Sequence, residues 1–368
     1  MNAIVRPIDL PPGRRVLVIS DIHGNLPLLR GLLDKVGLCK DDILIILGDI
    51  GERSPGSLET LRYVMALHRQ YTVYTVMGNC DELVLNFADD AEPREWFYPR
   101  IFERWGERCT LKQMARLAGA RLDSPSDYPW ARQVLNDRFA AEFDFLRSLP
   151  HILVNDHYLF VHGGVPREED LEELEAHGCM KNDDFIHQGH AFRRWVIVGH
   201  WPVTLYREDI PSAAPMVDRD SHIVSIDGGC TLKWDGQLNA LILPPTPDGD
   251  FSWVSYDGLP TVTALDSQAA STNSLNLRWS EREITVLEKG EEFCRCRHIA
   301  SGRVLDILTE YIYEKGGVTR CEDSTDYRLP VSPGDTLSLV RSTSRGCLCK
   351  KDGVTGWYFG RVRSAEEK

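Results

Sequence analysis

The chain has 368 residues, 42% of them hydrophobic and 26% charged, and a formal net charge of −13. That length accommodates one large domain plus a smaller one, and the composition is that of a globular protein able to bury a core. The acidic balance, with no dense Lys/Arg tract, excludes sequence-independent binding to nucleic acid or an anionic membrane, and no apolar run is long enough to span a bilayer.

Val16 to Ser20 reads as a buried strand, and PLLRGLLDKVG (27–37) as a helix stopping at Gly37. Ile43 to Leu47 is the next strand, SLETLRYVMALHRQ (57–70) the next amphipathic helix, and Tyr71 to Met77 the third strand. Strands alternating with helices imply a sheet with parallel pairs and helices on its faces. Residues 86–150 read instead as aromatic-rich helices, an insertion between the strands that covers part of the rim formed by their carboxyl ends. Strand signals return at 158–161, 196–198, 223–226, 238–243 and 253–256, with a short acidic helix or loop at 171–178. These elements set one large domain over 1–261. The polar stretch 262–280 reads as a linker. Residues 281–368 read as a small β domain, with strands at LSLV, CLCKK and WYFGRV, a hairpin turn at Asp352-Gly353, and a barrel-like pattern.

Five strand-like runs end in residues able to bind metal or phosphate. They are followed by Ser20-Asp21-Ile22-His23-Gly24-Asn25, Gly48-Asp49-Ile50-Gly51-Glu52-Arg53, Gly78-Asn79-Cys80-Asp81-Glu82, His162-Gly163-Gly164 and Gly199-His200. In sheets with parallel strands, loops at the carboxyl ends converge and form sites. A pair of divalent cations needs a bridging carboxylate, an oxygen/nitrogen shell and open positions. Asp21 and His23 suit one metal, Asp49 is the natural bridge, Asn79 offers an amide oxygen, and His162 and His200 offer imidazoles. The set needs no thiolate, which suits Mn, Fe or Zn. Taken singly, Asp21, Asp49 and Asn79 would equally serve turns or helix caps; the ordered set of five gives them a shared role.

These motifs resemble the calcineurin-like metallophosphoesterase superfamily, and within it the phosphoprotein phosphatase-like branch. GDIGERSPGS is similar to that branch's GD-x-x-D-R-G-x-x-S segment, with Arg53 in the phosphate-binding position, and SDIHGN, HGG and GH match as well. The resemblance covers about residues 15–256. It implies an α/β fold, a β-sandwich flanked by helices. It also implies two divalent ions, one held by Asp21, His23 and Asp49, the other by Asp49, Asn79, His162 and His200. The implied reaction is hydrolysis of a phosphate ester or phosphoanhydride by a metal-bound hydroxide, with Arg53 and Asn79 positioning the phosphoryl group. Where the branch places a general-acid histidine, this chain has Cys80, flanked by Asp81 and Glu52; with Asn79 and Arg53, Cys80 and Asp81 are the expected catalytic residues. The substrate is expected to be phosphorylated: a small molecule, a nucleotide or a phosphoprotein. A serine/threonine protein phosphatase, a dinucleoside-polyphosphate hydrolase and a non-catalytic phospho-partner binding protein are the alternatives.

The tail resembles an SH3-like module, which would make Trp357, Tyr358 and Tyr313 a groove for a Pro-rich peptide partner. Cys294-x-Cys296 and Cys347-x-Cys349 are spaced too closely for a zinc site, where two to four residues usually separate ligands, so they read as packed thiols. Asp227 reads as a turn residue, and Arg167, Arg193 and Arg194 compete for a second phosphate contact. The N-terminal segment lacks the apolar stretch of a signal peptide. With ten cysteines spread over a large chain, reduced thiols and a cytoplasmic location are expected.

Overall fold

The computed structural model describes residues 1–89 and 97–364; residues 90–96 of the expected insertion and the last four residues of the expected C-terminal domain lie outside them. The chain divides into two compact units. The first comprises Met1–Pro202, Pro215–Leu232 and Gly236–Gly258, the second Val203–Ala214, Lys233–Asp235 and Leu259–Lys368.

The first unit holds two sheets. A five-stranded sheet runs in the order Ser252–Tyr256, Leu238–Ile242, Val16–Ile19, Ile43–Ile46, Thr72–Thr75. Its last three strands pair in parallel, as their helical crossovers require. A six-stranded sheet runs Val5–Pro7, Ile152–Val154, Tyr158–Val161, Trp195–Val198, Ile223–Ser225, Met216–Asp218. Side chains alternate between the two faces of a strand, and this alternation builds two cores. Val16, Val18, Ile43 and Ile45 join Phe160, Ile197 and Val224 of the other sheet in the core of a sandwich. Leu17, Ile19, Leu44 and Ile46 face the opposite way, onto Leu29 and Leu32 of helix Leu26–Val36 and Leu61 and Val64 of helix Ser57–Gln70. Strands buried on both faces read as continuous apolar runs, which is how VLVI and ILII appear in the sequence.

Helix Leu26–Val36 starts where the Asn25 side chain accepts from the Leu28 amide at 3.3 Å, and stops at Gly37 in the left-handed conformation. The expected insertion is helical where described, with helices Tyr98–Trp105, Thr110–Ala118, Tyr128–Arg138 and Ala140–Arg147. Phe87, Tyr98, Phe102 and Tyr128 pack there in edge-to-face pairs with ring centroids 5.1–6.2 Å apart.

In the second unit a five-stranded antiparallel sheet runs Val354–Tyr358, Cys347–Lys351, Thr336–Ser342, Thr261–Ala264, Val362–Ser364. Its two outer strands are not paired with each other among the described residues, so the sheet is open where a closed barrel was expected. Asp352 and Gly353, both with positive φ, make the expected hairpin turn. Thr261–Ala264, at the edge of the segment expected as linker, is an inner strand of this sheet. Its signal is the alternation of TVTA: Val262 and Ala264 are buried, and the threonines face outward.

One expectation for the tail is corrected. Trp357 and Tyr358 do not wall an open groove. Both are buried: the indole Nε1 donates to the Thr325 carbonyl at 2.8 Å, and the Tyr358 hydroxyl donates to the Asp266 carbonyl at 2.7 Å. The cysteine pairs separate into different apolar clusters, Cys294 and Cys296 in one, Cys347 and Cys349 in another. None of the ten cysteines forms a disulfide. Among the described residues, no helix is long and apolar enough to cross a membrane.

Candidate metal centre

The loops that carry the motifs hold unusual backbone. Asp21, His23, Asp49 and His200 all have positive φ, between 49° and 66°, and Glu52 and Arg53 follow at 65° and 73°. Each costs on the order of 1–3 kcal/mol for a residue with a side chain, and such residues persist where the surroundings over-determine them. Here the loops are laced together: the Asp21 amide donates to Gly48 O at 3.2 Å, His23 to Asp49 O at 2.9 Å, and Gly199 to His162 O at 2.9 Å. The motif glycines follow from this closeness. A Cβ at Gly199 would overlap Ser20 Oγ and the Asp21 carboxylate, and one at Gly78 would overlap the Asp49 amide and its carboxylate.

The side chains then converge. His23 Nε2 lies 3.8 Å from both Asp21 Oδ1 and Asp49 Oδ2, and His162 Nε2 lies 3.5 Å from Asp49 Oδ1 and 3.2 Å from Asn79 Oδ1. The His162 and His200 rings stand edge to face at 5.1 Å. Asp21 Oδ2 accepts from Ser20 Oγ and from the His200 amide at 2.8 Å, and Asp49 Oδ1 accepts from the Cys80 amide at 2.8 Å.

This donor set fits divalent cations. Asp21, His23, Asp49 and His162 are all at most 3% exposed, yet Asp21 Oδ1 and His23 Nδ1 have no hydrogen-bond partner. His162 Nδ1 donates to the Leu47 carbonyl at 2.6 Å. Its Nε2 lone pair therefore faces two acceptors, Asn79 Oδ1 and Asp49 Oδ1, an arrangement that calls for a cation between them. Two triads, Asp21–Asp49–His162 and His23–Asp49–Cys80, each bring ligand atoms within 4.8 Å of one another. Burial lowers the His23 pKa to about 3, so its ring is a neutral ligand at pH 7. Burial acts to raise the Asp49 pKa, but its polar neighbours, the Cys80 amide among them, more than offset this and keep the carboxylate ionised, as a bridging group must be.

Arg53 is half-buried, with its guanidinium 5.2 Å from the Trp105 ring centroid and in hydrogen-bonding contact with Cys80. No carboxylate forms an ion pair with it among the described residues, which leaves its fork of donors for an anion. Cys80 is 1% exposed; burial and Asp49 raise its thiol well above the ordinary value. Asp81 does something other than the catalytic role expected of it. Its Oδ2 accepts from the Gly78 amide and its Oδ1 from the Ile50 amide, each at 3.1 Å, so it ties two motif loops together. Glu52 is equally committed, accepting from the Thr110 amide at 3.0 Å.

The structure thus brings Asp21, His23, Asp49, Asn79, Cys80, His162 and His200 into one cluster, with Arg53 beside it. Three participants were not read as such from sequence. Asp183 accepts from His200 Nε2 at 2.8 Å, and Lys181 lies 3.1 Å from the same nitrogen. No motif marks them, because they sit in an irregular segment after helix Ala176–Met180. Asp227 is fully buried, with Oδ2 unpartnered and the Asp21 charge raising its pKa after burial itself. Its signal was available: like the five motifs, it follows a strand, Ile223–Ser225. Arg167, Arg193 and Arg194 instead pair with Glu173 and Glu168.

Residues 14–219 match the sequence model of the calcineurin-like phosphoesterase family, and the chain belongs to that family. It is a metal-dependent phosphoesterase, a hydrolase acting on phosphate esters. The asymmetrical bis(5'-nucleosyl)-tetraphosphatase PrpE of Oceanobacillus iheyensis is 22% identical over 242 residues, 59% of this chain and 84% of that protein. A symmetrical bis(5'-nucleosyl)-tetraphosphatase from Janthinobacterium sp. (strain Marseille) is 30% identical over 153 residues, 40% of this chain and 42% of that one. Among solved structures, a protein serine/threonine phosphatase from Saccharomyces cerevisiae has a TM-score of 0.41 at 14% identity, over 70% of this chain and 84% of that one.

Proposed function

We propose that this enzyme hydrolyses dinucleoside polyphosphates with two divalent cations, drawn from Mn, Fe and Zn. Asp21, His23 and Asp49 would hold one, and Asp49, Asn79, His162 and His200 the other. The carrying observation is the buried Asp21–His23–Asp49–His162 cluster, in which Asp49 Oδ2 and the unpartnered Asp21 Oδ1 face His23 Nε2 and the Asn79 and Asp49 oxygens face His162 Nε2, a converging set of oxygen and nitrogen ligand atoms. When bound, such ions lower the pKa of water and neutralise phosphoryl oxygens. Arg53 supplies two or more donors to the non-bridging phosphate oxygens, and Trp105 keeps the guanidinium aimed by stacking. Asp81 holds the Asp49 and Asn79 loops in register through their backbone amides.

Cys80 supports the choice of substrate. General-acid help is greatest from a group whose pKa lies near the working pH, and the buried thiol that stands in the histidine position is a poorer proton donor there than an imidazole. A serine alkoxide needs that proton; a polyphosphate leaving group, weakly basic, does not. This favours a phosphoanhydride over a phosphoserine protein, and the names of the relatives point the same way. Ten cysteines spread over a chain with a large core of its own support a reducing, cytoplasmic setting.

The test is a substrate panel on the metal-loaded enzyme: diadenosine tetraphosphate, p-nitrophenyl phosphate and a phosphoserine peptide. The expected order of kcat/KM is that order. A phosphoserine peptide turned over faster than diadenosine tetraphosphate would replace this reading with that of a protein phosphatase.

A further inference from the structure

The two site histidines are fixed by groups that can only accept. A carbonyl accepts from His162 Nδ1 at 2.6 Å, which leaves Nε2 as that ring's lone pair. A carboxylate oxygen of Asp183 lies 2.8 Å from His200 Nε2, which leaves Nδ1 as the lone pair of the second ring. Lys181 competes for the same His200 nitrogen at 3.1 Å, but an ammonium only donates and would force the opposite tautomer. Lys181 also pairs with Asp183, so its charge is already answered by the carboxylate. The His200 backbone is anchored separately, by its amide to Asp21 Oδ2 at 2.8 Å and by its positive φ. The ring's rotation and tautomer are therefore what Asp183 sets.

We infer that Asp183 is a positioning residue for the metal centre: it holds His200 as the Nε2–H tautomer, so that the two histidines present opposite nitrogens to the cations, Nε2 from His162 and Nδ1 from His200. Lys181 pairs with Asp183 and holds its carboxylate in place. The inference rests on the two-cation reading of the site. It assigns work to a side chain about half exposed, which a structural role in the core would not require. Carboxylate–histidine–metal relays of this kind raise ligand basicity, and their loss typically costs roughly 10–100-fold in metal affinity.

The experiment uses the full-length protein labelled with ¹⁵N-histidine and loaded with zinc. Long-range ¹H–¹⁵N correlation reads the tautomer of each ring, with His200 assigned by its disappearance in His200→Gln. In the wild type, His162 should be the Nδ1–H form and His200 the Nε2–H form. In Asp183→Ala the His200 signal should lose that single form, and titration calorimetry should show the weaker of two zinc sites loosened by roughly 10–100-fold. Asp183→Asn, which keeps an acceptor without the charge, should restore the tautomer and most of the affinity. An Nδ1–H His200 in the wild type, or Asp183→Ala with unchanged tautomer and zinc affinity, overturns the inference. A wild type that takes up a single zinc ion overturns the two-cation reading instead, and the tautomer measurement still judges Asp183 on its own.

Discussion

The strand-end loops of the first unit and the sheets of the second unit are built by opposite means. In the first, each strand delivers its own chemistry: Ile19 runs into Asp21, Ile46 into Asp49, Val161 into His162, Val198 into His200. The site is long-range in space but local in its signals, because each contribution is a strand end plus two or three residues. In the second unit the reverse holds. Asn276 satisfies its amide on the Thr204 and Arg207 carbonyls, Ser212 bridges to Val354, and buried Lys233 pairs with Asp323. The partners are remote in sequence, and none has a pattern of its own. The lesson is that chemistry constrains residue type at a point, whereas packing constrains only polarity and size over a surface. The first leaves a readable motif and the second does not.

The comparison is broken most forcefully at Asp49. Asp49→Asn keeps the acceptor for the Cys80 amide but removes the charge needed to bridge two cations. Turnover should fall by about 10³-fold or more, the scale of losing a principal electrostatic stabiliser, and metal content should fall with it while circular dichroism is unchanged. Wild-type activity in that variant would mean that the motif residues were read correctly as neighbours and wrongly as a metal centre.

A glycine tests the same region through shape alone. Gly199→Ala adds only a methyl group, but it would overlap Ser20 Oγ and Asp21 Oδ2 and displace the His200 amide from Asp21. Metal affinity and kcat should drop by roughly 10²-fold, since small misplacements at a reacting centre carry costs of that size. Equal metal affinity in wild type and variant would show that the loop yields without moving Asp21.

These residues also show what was legible. Glycine next to Asp49, Asn79 and His200 is visible in the sequence as a motif, but its reason, the close approach of a second loop, is visible only in the fold. Asp81 stood inside a motif and was read as chemistry, when its two oxygens serve backbone amides. Asp183 stood outside every motif and was not read at all. The interior strands VLVI and ILII were legible because a sheet covered on both faces needs unbroken apolar runs. TVTA was not, because a four-residue alternation among polar neighbours is indistinguishable from a loop until its partners Thr336–Ser342 and Val362–Ser364 are known.

A smaller effect belongs to Glu52, whose pKa burial raises to about 7 from an ordinary 4.5. A carboxyl raised on folding favours the folded state while protonated and opposes it once ionised. Its contribution is therefore greatest below pH 4.5, declines through the window from 4.5 to 7, and is flat above. In the metal-free protein, Glu52→Gln keeps the Oε1 acceptor for Thr110 and cannot ionise. It should gain stability relative to wild type above pH 7, on the order of 3 kcal/mol, with no gain below pH 4.5. Parallel stability curves in urea across that window would show that Glu52 does not titrate there.

The smallest effect on chemistry is expected in the second unit, and Trp357 is the place to look for it. Its ring packs with Phe293, Leu308 and Leu348, and its Nε1 donates to the Thr325 carbonyl. Truncation removes that packing and leaves the carbonyl without its donor. Trp357→Ala should therefore destabilise the second unit by roughly 3–5 kcal/mol, the usual cost of such a core truncation. Activity on p-nitrophenyl phosphate, measured well below the melting transition, should stay within about twofold of wild type, because no residue of the proposed metal centre belongs to that unit. The measurement is a thermal melt paired with kcat at 20 °C below its onset. A variant that melts early but keeps its kcat sharpens the comparison: chemistry in one unit, packing in the other. A folded variant with kcat reduced 10-fold or more would show that the second unit, for all its lack of motifs, bears on catalysis, and that the motif-free part of the sequence holds function that residue patterns do not reveal.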